Sequence, residues 1–270
     1  MILREISDAV LKTNKEHISF NEVKDWKECS LRHKLKHIDK IDMFEENVFT
    51  NFGTAIHASC EEYVKTRIMR YEIALDIILQ AWKEHKLPEV GLWLKRCKVI
   101  LDAVPAWLDM KFPNWEHISS EEELMEPIPG IHKNIKFKGF IDAVIKWNDE
   151  YYLIDWKTSS TGWNDYKRKD EMLKRQLVLY KDFWARKHNI DLDKIKCGFV
   201  ILNRKLEHPE RIDYFTFDAD KKRRTISLDI VNTMISNVKA GVIIPSLKKE
   251  ELRFQGVCRF CDYNGTQHCR

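Results

Sequence analysis

The sequence predicts an α/β (α+β) fold, a central mixed β-sheet flanked by helices, on three observations. Residues 1–110 carry apolar side chains at helical spacing, and residues 111–218 change to short runs rich in β-branched and aromatic residues. One further helical pattern interrupts those runs. The 270 residues allow one large domain or two small ones. We read them as a single domain over 1–270: a helical cap over 1–110, a core sheet over 111–218, and a helix leading to a cysteine-bearing segment over 219–270. A hydrophobic content of 44% is enough for a core, and 9 Gly with 7 Pro exclude a low-complexity chain.

The helices come first. Ser19 followed by Glu22 fits a capping box that opens a helix through about His37. A second helix is expected from about Phe52 to Met69, with Ala55, Ile56, Ser59, Tyr63 and Ile68 near one side. Two more are expected at about 71–86 and 91–110, the last kinked or shortened by Pro105. Strands are expected at Glu122–Ile128, Ile135–Trp147, Tyr151–Lys157, Lys196–Leu202 and Ile212–Phe217, with helices at Lys167–His188 and Asp220–Ala240. Gly241 and Pro245 open the final segment.

Composition narrows the function classes. A formal net charge of +4, with 33% charged residues, permits a nucleic-acid partner without requiring one. Arg4, Glu5, Asp8 and Lys12 interrupt the apolar stretch that a signal peptide needs, and no apolar run approaches the roughly 18 residues of a membrane span. A cytoplasmic protein without a membrane partner is the expectation. Seven cysteines are an odd number for a paired framework, so metal or cluster ligation ranks above disulfides.

The most informative stretch runs from Gly139 to Lys157. If Asn148 and Asp149 form a two-residue turn, Trp147 faces Glu150 and, counting back along both strands, Asp142 faces Asp155 on one side of the hairpin. The two-residue period puts Lys157 on that side and Trp156 on the other. Carboxylates set side by side repel unless a cation or proton lies between them. Hard oxygens suit Mg²⁺ or Mn²⁺, and such an ion beside an ammonium suits phosphodiester hydrolysis. The plainer alternative is an exposed hairpin with solvated acids. A three-residue loop would instead set Asp142 opposite Trp156.

Four blocks occur in order: Gly53-Thr-Ala-Ile-His57, Gly139-Phe-Ile-Asp142, Asp155-Trp-Lys157-Thr158 and Gln176-Leu-Val-Leu-Tyr180. Together they resemble the RecB-like branch of the PD-(D/E)XK nuclease superfamily. The resemblance implies a restriction-endonuclease-like core. It also implies Mg²⁺ or Mn²⁺ held by the His57 imidazole, the Asp142 and Asp155 carboxylates and the Trp156 backbone carbonyl, with Lys157 as catalytic lysine. Gln176 and Tyr180 share a helix face and would hydrogen-bond the lysine, the carboxylates or a DNA phosphate. Without the other blocks, His57 reads as an ordinary core or surface histidine. Glu61, one turn beyond it, is a candidate for a water-mediated role.

Cys258, Cys261 and Cys269 supply three thiols, where Zn²⁺ and a four-iron cluster usually take four ligands. Cys29, in the stretch from Trp26 to Lys36, resembles the upstream cysteine of the iron–sulfur subgroup of these nucleases, which includes AddB and the CRISPR-associated RecB-like enzymes. The resemblance implies a structural [4Fe–4S] cluster on Cys29, Cys258, Cys261 and Cys269. Zinc is the alternative, with His268 as a replacement ligand. Cys60, Cys97 and Cys197 read as small buried hydrophobes.

Basic clusters lie at Arg32/Lys34/Lys36, Lys167/Arg168/Lys169, Lys174/Arg175 and Lys221–Arg224. The cluster beginning at Lys167 leads into the Gln176 helix and can guide phosphates. Trp163 and Tyr166 can stack on unpaired bases or anchor their loop. The leading expectation is a metal-dependent DNA exonuclease acting on single-stranded DNA ends in recombination, repair or phage DNA metabolism, in a bacterial or phage-infected cell. A homo-oligomer or a recombination partner stays open. The alternatives are a non-catalytic DNA-end-binding or assembly subunit and a zinc-stabilised interaction module.

Overall fold

In the computed structural model the described residues are 16–86, 88–130, 134–242, 256–259 and 261–269. In chain order the elements are β1 (His17–Ser19), α1 (Phe20–Glu28), α2 (Ser30–His33), a π-helical turn (Lys34–Ile38), α3 (Val48–Thr66), α4 (Tyr71–His85) and α5 (Val90–Lys111). Then come β2 (Glu116–Pro127), β3 (Lys136–Trp147), β4 (Glu150–Ser159), α6 (Asp165–Arg168), α7 (Glu171–His188), a 3-10 turn (Leu192–Lys194), β5 (Ile195–Asn203), β6 (Ile212–Phe217) and α8 (Lys221–Lys239). The chain divides into two compact units, Met1–Glu45 with Met125–Gly139 and Lys222–Arg270, and Glu46–Leu124 with Phe140–Lys221. Among the described residues no helix is long and apolar enough to cross a membrane.

The second unit carries the predicted sheet. β3 pairs antiparallel with β4, β4 parallel with β5, and β5 antiparallel with β6, so the sheet is mixed. β2 pairs with β3. β5 is buried at all but one position, as a strand covered on both faces must be, which explains its continuous apolar run. α3 begins at a reciprocal cap: the Asn47 side chain accepts from the N–H groups of Phe49 and Thr50, and Thr50 Oγ1 accepts from the Asn47 N–H. Its stripe Phe52, Ala55, Ile56, Cys60, Tyr63 and Val64 packs with α4, α5 and the inner residues Ala143, Ile154 and Trp156. Burial of about 25 cal/mol per Å² of apolar surface is what holds helix to sheet here.

In the first unit β1 pairs parallel with the first residues of β3, His17 opposite Lys136. Ser19 caps α1, its Oγ accepting from the Glu22 N–H at 3.3 Å. The expected helix to His37 is not continuous. Cys29 takes an extended conformation (φ −158°, ψ 107°) that ends α1, and its sulfur then accepts from the Arg32 N–H to start α2.

Other boundaries shift for local reasons. α3 stops at Thr66 because Arg67 is left-handed (φ 62°), so Ile68, expected on the apolar face, is exposed. α5 runs through Pro105 to Lys111 and is not shortened. The helix expected over Lys167–His188 is two, the second capped by Asp170 accepting from Met172 and Leu173. β2 starts before Glu122, at Glu116, and holds Glu121 at φ 46°. The helical reading of residues 1–15 and the turn at Pro245 lie outside the described residues.

Candidate active site

Asn148 and Asp149 both have positive φ, 49° and 59°, as a type I′ turn requires. Trp147 therefore pairs with Glu150, and the register continues to Ala143 opposite Ile154. There the ladder ends, one pair short of the two aspartates. The Trp156 N–H, free of a cross-strand carbonyl, donates to Asp142 Oδ2 at 2.8 Å. A side chain thus takes the place of a backbone acceptor, and the strands part where the carboxylates stand.

Asp155 is 1% exposed, and its Oδ2 lies 2.5 Å from Lys157 Nζ. From α3, His57 Nδ1 reaches within 3.5 Å of Asp142 Oδ2. The charges act strongly on one another at this range. Burial, and then the Asp155 charge, hold the Asp142 carboxyl well above the usual carboxylate range. Burial and the Lys157 ammonium lower His57, against the pull of Asp155 and a hydrogen bond with the Trp156 backbone. The balance favours the neutral imidazole, the form with a lone pair to give. Burial opposes the charge on Lys157, but Asp155 and Asp142 outweigh it and raise that pKa. Gln176 Nε2 donates to the Tyr180 hydroxyl at 3.3 Å. Burial, with Asp155 and Asp142 nearby, pushes Tyr180 up to about 12, so all four sequence blocks meet at one place.

Among the described residues no three His, Cys, Asp or Glu side chains are gathered tightly enough to hold a metal ion. The donor set nevertheless fits a divalent ion. Asp155 Oδ2 is buried with the Lys157 ammonium at 2.5 Å as its cationic partner, so the site is built to hold positive charge against it. One neutral imidazole, two carboxylates and the Trp156 carbonyl are ligands suited to Mn²⁺ or Mg²⁺.

One acid escaped the sequence reading. Glu121 stands in the field of both Asp155 and Asp142, and partial burial and the Glu61 charge raise its pKa. Three successive glutamates hid it, since alternation alone cannot say which one faces the acids, and the left-handed residue breaks the alternation. Glu122 goes elsewhere, to Lys187, His188 and the Trp184 indole on α7. Glu61 is paired with Lys65. Trp163 is 5% exposed against Phe199 and Phe215, which makes it a loop anchor and not a base platform, whereas Tyr166 is 85% exposed. Arg168 is tied to Asp213 and Lys174 to Glu171, so these two are not free phosphate ligands.

In the first unit Cys29, Cys258, Cys261 and Cys269 are half-buried and not in disulfides. Cys29 and Cys269 are charge neighbours of Cys261, as is Arg32, and the Cys261 N–H donates to the Cys258 carbonyl at 3.3 Å. The Tyr263 hydroxyl donates to the Ile41 carbonyl at 2.5 Å, tying the C-terminal turns to the N-terminal segment. Cys60, Cys97 and Cys197 are buried, as expected of small hydrophobes.

Comparison with known proteins agrees with this geometry. A crystal structure of a candidate exonuclease from Eubacterium rectale aligns over 88% of this chain and 85% of its own, with a TM-score of 0.55 and 12% identity, and so shares the fold. A second solved structure, SSO0001, aligns over 87% of this chain and 91% of its own at 16% identity and a TM-score of 0.36, too low to argue from. No curated protein sequence matches at a significant level. The sequence profile of the PD-(D/E)XK nuclease superfamily matches residues 17–266, nearly the whole chain, and the protein therefore belongs to that superfamily.

Proposed function

We propose that the protein is a divalent-metal-dependent deoxyribonuclease, an exonuclease acting on single-stranded DNA ends in recombination, repair or phage DNA metabolism. The observation that carries this reading is the convergence of His57, Asp142, Asp155 and Lys157 where β3 and β4 part. The kinship of fold with a candidate exonuclease supports the end-directed activity. Mg²⁺ or Mn²⁺ held by His57, Asp142, Asp155 and the Trp156 carbonyl would supply Lewis-acid stabilisation of the phosphoryl oxygens and make a nearby water more acidic. The chain's own groups do the rest. Lys157, kept charged by the two acids, offsets negative charge developing on the phosphate. His57 stays neutral because burial and Lys157 disfavour its proton. Gln176 and Tyr180 orient one another and hold the phosphate or the lysine amine in line.

End-labelled single- and double-stranded DNA, incubated with Mg²⁺ or Mn²⁺, tests this reading. Wild type should release mononucleotides from single-stranded ends and Lys157→Ala should not. Equal release by both would assign the cleavage to a contaminant, and DNA binding without cleavage by wild type would favour an assembly subunit.

The same reading gives Cys29, Cys258, Cys261 and Cys269 a structural [4Fe–4S] cluster, with zinc as the competing occupant. It rests on the resemblance of the four-cysteine pattern, with Cys29 and Cys269 near enough to Cys261 for their charges to act on it. Iron, sulfide and zinc analysis of the purified chain separates the two occupants.

A further inference from the structure

Two arginines of the second unit have neither an acid nor a hydrogen-bond acceptor for the side chain, whereas Arg175 and Arg211, also without an acid, donate to backbone carbonyls. Arg96, on α5, and Arg204, directly after β5, are both half-buried. Elsewhere the arginines Arg67, Arg168 and Arg186 each meet a carboxylate. Among the described residues neither Arg96 nor Arg204 forms an ion pair or a side-chain hydrogen bond, and Arg96 Nε is buried without a partner. Each guanidinium lies over an aromatic ring: Arg96 is 4.7 Å from the Trp93 centroid and Arg204 is 4.7 Å from that of Phe49. The two rings meet edge to face at 5.7 Å, so both cations flank a single aromatic pair. Burial and the neighbouring Arg96 charge lower the Arg204 pKa, a sign of unrelieved repulsion.

Two partly desolvated like charges without a counter-ion cost stability, and a multidentate anion between them removes the cost. Phe49 itself is 53% exposed, leaving ring surface for a base or sugar. The position is also informative. Phe49, Gly53 and His57 follow at four-residue steps along one face of α3, so Phe49 lies roughly 12 Å from His57 along the axis. The Arg204 N–H donates to the carbonyl of Ser159, two residues beyond Lys157, at 2.7 Å. A Cβ on Gly53 would stand 3.8 Å from Thr158 Oγ1, so α3 lies close against β4 between the two places. A nucleic-acid strand crosses such a distance in a few nucleotides.

We infer that Arg96 and Arg204, with Phe49 beside them, form a phosphate-binding subsite that holds the nucleic-acid strand a few nucleotides from the hydrolytic centre. This rests on the nuclease reading. The ligand chemistry is a phosphate oxyanion, supplied either by a backbone diester or by a terminal monoester.

The test is binding without cleavage: fluorescence anisotropy of a labelled oligothymidylate on the full chain in EDTA, over a range of salt concentrations. Removing two phosphate contacts should lower the slope of log K against log salt by about 1.4 and weaken binding at least about tenfold at low salt. Arg96→Gln with Arg204→Gln should show both effects, and the corresponding Lys pair should keep the slope. An unchanged slope in a folded double Gln variant overturns the subsite. If that variant does not fold, phenylglyoxal labelling of wild type replaces it: protection of both arginines by the oligonucleotide supports the inference, and equal labelling with and without it overturns it. Oligonucleotides with phosphate or hydroxyl ends distinguish the sources. A preference for phosphorylated ends that vanishes in the variant assigns the monoester, and a uniform loss assigns the diester. An arginine-dependent slope in a protein that never cleaves removes the nuclease reading alone, whereas cleavage with an unchanged slope removes the subsite alone.

Discussion

The β3–β4 hairpin and the cysteine-bearing segments both bring functional groups together, but by different means. In the hairpin, a two-residue turn and a ladder of backbone hydrogen bonds fix where Asp142, Asp155 and Lys157 stand, and one helix adds His57. The four cysteines come from opposite ends of the chain, and what carries three of them is a run of turns between 256 and 269. Short-range turn hydrogen bonds hold that run, among them Cys261 N–H to the Cys258 carbonyl and Cys269 N–H to the Thr266 carbonyl, and under the proposed ligation its arrangement should depend more on an occupant. A site built on a ladder should lose function without losing its fold; a site built on turns should lose both together.

The largest effect expected is on catalysis. Asp142→Asn keeps an oxygen to accept from Trp156 and removes a carboxyl that burial and Asp155 already hold above the usual range. Cleavage should fall by about 10³-fold or more, as loss of a charge-stabilising group in a dry site implies. The melting temperature should be unchanged or higher, by calorimetry. A marked drop in melting temperature would show that the hairpin, too, depends on its occupant.

Cys261→Ser should do the reverse of a clean catalytic lesion. Iron content, visible absorbance, solubility and melting temperature should fall together, because ligation free energy is folding free energy where no preformed site exists. Full stability with no iron bound would erase the contrast between the two regions.

What could be read in advance follows the same division. The turn at Asn148 and Asp149 and the strands from β2 on were legible because alternation, apolar runs and turn chemistry are local, whereas β1 fell in a stretch expected to be helical; the four blocks were legible through the family resemblance. The break at Cys29 was not, since a helix-compatible run gives no sign that one residue will be extended. Nor was the loss of the Asp142–Asp155 pair from the ladder, which takes a side chain competing with a backbone carbonyl for the Trp156 N–H. Glu121 was hidden by its own neighbours, and Arg96 and Arg204 by their separation in sequence, for no motif says that two distant arginines lack acids.

An intermediate effect is expected from Glu122, whose carboxylate joins β2 to α7, the helix that carries Gln176 and Tyr180. Burial opposes its charge, but hydrogen bonds from Lys187, Ser119, His188 and Trp184 outweigh it and bring its pKa down from 4.5 to about 2. A depressed folded-state pKa contributes stability above pH 4.5 that is lost as pH falls toward 2. Glu122→Gln should therefore melt a few degrees lower than wild type near neutrality, and the two curves should converge in acid. Parallel curves throughout would mean that the clamp is packing and not charge.

The smallest effect, and the most discriminating for the hairpin site, is expected from Glu121→Gln. The carboxylate lies in the field of Asp155 and Asp142, yet it is exposed to solvent, so its charge reaches the site screened. Removing that charge makes the site less negative without removing a proposed ligand. The metal concentration giving half-maximal cleavage should rise by about tenfold or less, as one screened charge implies. At saturating metal the rate should recover, which it should not in Asp142→Asn. Added salt should shrink the difference between wild type and Glu121→Gln, because screening already weakens the same field. A rate that stays low at saturating metal would promote Glu121 to a direct ligand. An unchanged metal requirement would mean that the left-handed turn at Glu121 shapes the strand and its carboxylate plays no part in the chemistry.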